Sequence, residues 1–78
     1  MKVLFYGRLA DAIGHEIEIE AGGACSVAEL RRRMAASHPD AADALVRSRA
    51  VIANALVGDG HVIAPADQVE FLPPVSGG

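Results

Sequence analysis

Seventy-eight residues, 51% of them apolar and 22% charged, suffice for one small core and are too few for two domains. Seven basic residues against ten acidic ones give a formal charge of −3, which withholds the long-range attraction that binding to nucleic acid or anionic lipid requires. The single cysteine, Cys25, excludes an internal disulfide, and without a C-x-x-C or Cys/His pairing no structural zinc site is expected; a reducing cytosol is the expected setting.

Taken in chain order, Val3-Leu4-Phe5-Tyr6 is a β-branched and aromatic run closed by Gly7, and residues 15–20 alternate with period two ahead of Gly22 and Gly23. Both read as strands. Between them Leu9, Ala12 and Ile13 fall at helical spacing before Gly14, which predicts one or two helical turns. Ser26-Val27-Ala28-Glu29 is a capping box, so the main helix begins near Val27; Val27, Leu30 and Met34 share one face, and Pro39 ends the run. The Ala-rich segment 40–49, with Ala41, Ala44 and Leu45 as its apolar stripe, predicts a second short helix. Ala50-Val51-Ile52-Ala53 reads as a strand, Gly58-Asp59-Gly60 as a turn, His61-Val62-Ile63 as a short return, and 68–72 as the last strand. Residues 1–7 are too short for a signal-peptide core, and the longest apolar run, 50–57, falls far short of a membrane span, so no targeting segment or membrane association is expected.

This order, with no internal repeat, predicts an α+β domain in which one helix packs on one face of a mixed sheet. In such two-layer folds the first and last strands commonly lie side by side, and a parallel pairing would bring both of their C-terminal ends to one edge. Alternation then turns Val3, Phe5, Val69 and Phe71 toward the helix and Leu4, Tyr6 and Leu72 outward, with Tyr6 and Leu72 as neighbours in a partner-binding patch.

Beyond that last strand come Pro73-Pro74-Val75-Ser76-Gly77-Gly78. Two prolines cannot continue a ladder and favour an extended conformation, while the last two residues carry no side chain. Four residues from Val75 onward reach at most about 14 Å, enough to enter a narrow channel in another protein. With glycine at about 7% of average usage, two closing glycines arise by chance only about 0.5% of the time. A carboxylate at Gly78 is ionised and a poor electrophile, so a group-carrying role requires prior activation, most simply as an acyl-adenylate made by another enzyme. Cys25 lacks an adjacent base and reads as a packed residue; His15, His38 and His61 have no metal-ligand spacing, so no metal is expected. Arg31-Arg32-Arg33 fan over about 200° of a helix and read as a solvated face.

The closing run Val69-Glu70-Phe71-Leu72-Pro73-Pro74-Val75-Ser76-Gly77-Gly78 resembles the C-terminus of the small, sulfur-carrier subunits of molybdopterin synthase. The opening Val3-Leu4-Phe5-Tyr6, the 9–14 segment, the capping box with Leu30, and Asn54 after a strand are similar as well, so the resemblance covers essentially the whole chain. It implies the ubiquitin-like β-grasp fold: a mixed sheet of four to five strands on one main helix plus short helices, here a domain over 1–74 and a flexible Gly-Gly tail over 75–78. It further implies that Gly78 is adenylated by a separate, ATP-using adenylyltransferase resembling ubiquitin-activating enzymes and, with a sulfur-donor enzyme, becomes a thiocarboxylate.

Pro73, Pro74, Val75, Ser76 and Gly77 would form the tail that enters the large subunit, in a heterotetramer of two small and two large subunits, to deliver sulfur to cyclic pyranopterin monophosphate. The catalytic side chains would then belong to the large subunit, with no cofactor bound to this chain. Family interface positions map onto Tyr6, Leu56 or Val57, Phe71 and Leu72. A sulfur carrier for the thiamine thiazole resembles the same pattern but is usually shorter and lacks the Pro-Pro pair; a ubiquitin-like modifier joined to lysines is the other alternative. A β-grasp module fused to RNA-binding enzymes is opposed by the negative charge and the closing glycines.

Overall fold

The computed structural model describes residues 1–20 and 23–73. The expected tail, Val75 to Gly78 with Pro74 before it, lies outside the described residues. Strands β1 (Lys2–Phe5), β2 (Glu16–Glu18), β4 (Arg49–Ile52), β5 (Ala55–Val57) and β7 (Gln68–Leu72) form one sheet in the order β2-β1-β7-β4-β5. Strands β3 (Cys25–Ser26) and β6 (Val62–Ile63) pair separately. Helices α1 (Arg8–Ile13), α2 (Val27–Ser37) and α3 (Ala42–Arg47) complete the fold, with a 3-10 turn at Pro39–Ala41.

The first and last strands lie side by side, as is common in such folds, and pair in parallel. Val3 lies opposite Val69 and Phe5 opposite Phe71, with the other neighbouring strands antiparallel. Val3, Phe5, Val69 and Phe71 are fully buried beneath α2, which contributes Val27, Leu30 and Met34. The Phe5 and Phe71 rings stack with centroids 5.7 Å apart. Leu45 and Ala41 close the core from the 3-10 turn and α3, as their stripe predicts.

Helix α2 starts where the capping box places it. The Glu29 amide donates to Ser26 Oγ at 3.1 Å, satisfying one of the free donors of the first turn. In α1 it is Leu9 and Ala10 that are buried, while Ala12 is exposed, so the buried stripe differs from the predicted one by its alanine. Ile13 is half-buried against the core.

The second half of the chain departs from expectation in two places. Besides the predicted turn at 58–60, an unpredicted tight turn falls at Ala53-Asn54, between β4 and β5, where both residues have positive φ (51° and 66°). Positive φ at two successive positions is the signature of a type I′ hairpin, whose twist matches that of its flanking strands. The return strand β6 does not pair with β5; it pairs with β3, Cys25 opposite Ile63, at the entrance to α2. Amides of Val27 and Ala28, in the first turn of α2, donate to the carbonyls of His61 and Asp59. The 58–61 segment thereby accepts from donors that the helix leaves free.

Arg31 is not the solvated residue that its neighbours Arg32 and Arg33 are. Its side chain retains 12% of its exposure, and its guanidinium donates to the carbonyls of Leu45 and Ser48, to Ser48 Oγ at 2.8 Å and to Asp59 Oδ1 at 3.1 Å. It also lies 5.4 Å from the centroid of the Phe71 ring. One planar group thus ties α2 to the end of α3, to the 58–60 turn and to the central strand, a task suited to the fixed fork of arginine.

Candidate partner-docking face

Because the helices pack on one side of the sheet, the other side has no covering layer among the described residues. Cross-strand partners point to the same side, so the register assigns that side residue by residue. One row runs Glu16, Leu4, Glu70, Val51, Leu56 across β2, β1, β7, β4 and β5. A second contains Leu72 and Arg49, a third Lys2, Gln68 and Glu18. Tyr6 follows Phe5 and Leu72 follows Phe71, so the two leave the paired ladder at the same level, as alternation predicts.

Leu56 is 62% exposed and Tyr6 41% exposed, while Leu4, Val51 and Leu72 are half-buried. Together they make an apolar surface interrupted by a few charges. Of the residues assigned to this face, two are corrected. Phe71 is fully buried under α2, because its place in β7 alternates with Glu70 and Leu72; it belongs to the core and cannot meet a partner. Val57 lies opposite Ala50 on the core side and packs against the core, leaving Leu56 as the outward residue of β5. Val51 and Glu70, which were not singled out, join the face through the register alone.

Electrostatics single out Glu70. The Tyr6 hydroxyl donates to Glu70 Oε1 at 2.9 Å. That hydrogen bond, with a smaller contribution from desolvation and from the carboxylate's charge, holds the Tyr6 hydroxyl above its ordinary value of 10.0. On the same face Lys2 Nζ sits 3.7 Å from Glu16, and the Met1 amino group 3.2 Å from Glu18.

At the end of β7 the chain passes into Pro73 beside Gly7. Gly7 has φ +60°, and a Cβ there would lie 2.9 Å from Pro73 Cγ. This close approach seats the start of the Pro-Pro segment against the end of β1. His15 and His61 are exposed, and His38 Nδ1 is 3.3 Å from the Met34 carbonyl oxygen. Among the described residues no three His, Cys, Asp or Glu side chains come together as a metal site, and no helix is long and apolar enough to cross a membrane.

Solved structures with this fold include SAMP1 from Haloferax volcanii, with a TM-score of 0.79 at 19% identity over 99% of this chain and 97% of that one. Another is a Pyrococcus furiosus protein described as a molybdopterin converting factor, subunit 1, with a TM-score of 0.72 at 21% identity over 95% of each chain. These likenesses, together with the mixed sheet on its main helix, establish the ubiquitin-like β-grasp fold. In sequence the chain is 34% identical over 80 residues to the molybdopterin synthase sulfur carrier subunit of Escherichia coli (strain K12), covering 100% of this chain and 99% of the relative. A family profile, that of the ThiS family, matches residues 3–78. With the profile spanning the described domain and the closing glycines alike, and a relative matched from end to end, the chain belongs to the ThiS family.

Proposed function

We propose that this chain is the sulfur-carrier subunit of a molybdopterin synthase, with Gly78 as the carrying residue. The observation that carries the reading is the exit of the chain from the central strand β7, beside an uncovered apolar face, directly into Pro73-Pro74-Val75-Ser76-Gly77-Gly78. A separate enzyme uses ATP to convert the Gly78 carboxylate to an acyl-adenylate, and a sulfur donor displaces AMP to leave a thiocarboxylate. No catalytic side chain of this domain takes part. Its contribution is to present the carboxylate on a narrow tip and to dock.

Docking uses the helix-free face, with Tyr6, Leu56 and Leu72 as anchors, against the large subunit of the synthase. Two carriers sit on a large-subunit dimer, and each tail enters an active site where cyclic pyranopterin monophosphate accepts the sulfur. The setting is the cytosol, where ATP is available and a lone cysteine stays reduced. The length of the chain, close to that of the molybdopterin carrier it matches, and the Pro-Pro pair favour this reading over a carrier for the thiamine thiazole.

The test is the intact mass of the protein purified from its own cells. Exchange of one oxygen for sulfur at the C-terminus is expected, and is expected to vanish when Gly78 is deleted. An isopeptide adduct to lysines, with no thiocarboxylate, would replace this reading with that of a protein modifier.

A further inference from the structure

The helix-free face is not uniformly apolar, and the position of its charge has consequences. Glu70 sits on the central strand with Leu4 beside it on one neighbouring strand and Val51 on the other; Leu72 follows two positions along on the same face. Its side chain is half-buried. Glu70 belongs to none of the ion pairs among the described residues. Lys2 is occupied by Glu16, and Arg49, on the same face, lies across from Leu72 rather than from Glu70.

The neutral Tyr6 hydroxyl supplies one hydrogen bond to Oε1. A carboxylate offers about four acceptor sites, so most of them depend on solvent. An apolar partner laid over Leu4, Val51, Leu56 and Leu72 would strip that water and leave a desolvated, unpaired anion, which strongly opposes binding. A partner that returns a cation to Glu70 offsets this cost most fully, and a guanidinium, with its planar fork and weaker hydration, fits best.

Resting on the docking reading above, we propose that Glu70 is the specificity determinant of this face. It admits a partner whose apolar surface carries an arginine or lysine opposite the centre of the sheet, and rejects apolar surfaces that lack one. The role is one of discrimination as much as of attraction, since the same carboxylate penalises every wrong partner.

The experiment titrates the purified chain with the large subunit of molybdopterin synthase from the same cells, by calorimetry at low and high salt. Urea melts of each variant check folding. Glu70→Gln keeps an acceptor for the Tyr6 hydroxyl and removes only the charge. It is expected to weaken binding about tenfold or more and to flatten the salt dependence. Glu70→Lys is expected to weaken it about 100-fold by setting like charges together. Arg32→Ala, at an exposed position of α2 on the opposite side of the sheet, is expected to leave affinity unchanged.

Wild-type affinity and salt dependence in Glu70→Gln, with Leu72→Ala and Leu56→Ala still weakening binding, would overturn the role of Glu70 and leave the docking face standing. Weakening by Arg32→Ala equal to that of Glu70→Gln would overturn it too, by showing that the loss does not depend on this face. If Leu72→Ala and Leu56→Ala also bind normally, or the wild-type chain does not bind, the docking reading falls and the role of Glu70 with it.

Discussion

Replacing Gly7 with alanine tests how the root of the tail is held. Gly7 has φ +60° and ψ −134°, a backbone conformation that L side chains rarely adopt, and strain of this kind costs about 1–3 kcal/mol. The added methyl would also meet Pro73 Cγ at 2.9 Å. That atom belongs to a closed ring whose only freedom is a change of pucker, so Pro73 or the end of β1 must give, at a further 1–3 kcal/mol or so typical of overpacking. Loss of freedom in the unfolded chain returns only about 0.4–1 kcal/mol. The net is a destabilisation of about 3 kcal/mol, a large part of the roughly 4–12 kcal/mol expected for a domain of this size.

Two other glycines separate strain from contact. Gly14 has φ +117° with nothing within 4 Å of an added Cβ, so Gly14→Ala should cost about 1 kcal/mol through strain alone. Gly58 has open space and no positive φ, so Gly58→Ala should fall within about 0.5 kcal/mol of wild type. Urea melts give the order directly, and Pro73→Ala, which removes Cγ, should recover about 1–2 kcal/mol when combined with Gly7→Ala. Equal losses at Gly7 and Gly58, or no coupling to Pro73, would refute the packing of Pro73 on Gly7.

The remaining expectations concern the two sides of the sheet. Phe71→Ala should lower unfolding free energy by about 3–5 kcal/mol as a fully buried aromatic, whereas Tyr6→Ala and Leu72→Ala should weaken docking about 30-fold with far smaller losses in urea melts. Arg31→Lys should cost about 1–3 kcal/mol, because one ammonium cannot serve the Leu45 and Ser48 carbonyls and Asp59 together; Arg32→Ala and Arg33→Ala should be nearly silent. Tyr6 is the single tyrosine, so tyrosinate absorbance titrates it alone; its midpoint should lie above 10.0 and fall in Glu70→Ala. A folded value above the unfolded one means that the associated stability is fully present below pH about 10 and is lost as pH rises through the folded value.

What could be read ahead of the structure follows from the physics each feature uses. The Ser26 cap and the outward turn of Tyr6 and Leu72 rest on one local hydrogen bond and on alternation, both written in adjacent residues, while the neighbouring of β1 and β7 rests on the habits of two-layer folds. The hairpin at Ala53-Asn54 escaped because alanine gives no sign of positive φ, whereas the glycines at 58 and 60 mark a second turn, in which the His61 amide donates to the Gly58 carbonyl. Pairing of β6 with β3 could not be read, since two-residue strands have no period. Arg31 was indistinguishable from its two neighbours until α3 and the 58–60 turn were placed against α2. Phe71 shows how two kinds of inference conflict: alternation turned it inward, likeness to an interface position turned it outward, and its complete burial sides with alternation.

The architecture also gives a reason why the proposed docking and delivery would share one surface. Among the described residues the helices cover one face of the five-stranded sheet, and the other face keeps apolar side chains without a covering layer. Had the last strand been at an edge, a tail leaving it would start from the rim of any complex formed on that face. Because β7 is central, a partner seated on Leu4, Glu70, Val51 and Leu72 also fixes the place from which Pro73 departs. On the proposed docking reading, five further residues would reach at most about 18 Å from there, which would hold a Gly78 carboxylate at a local concentration in the millimolar range. On that reading docking would supply proximity and the glycines access.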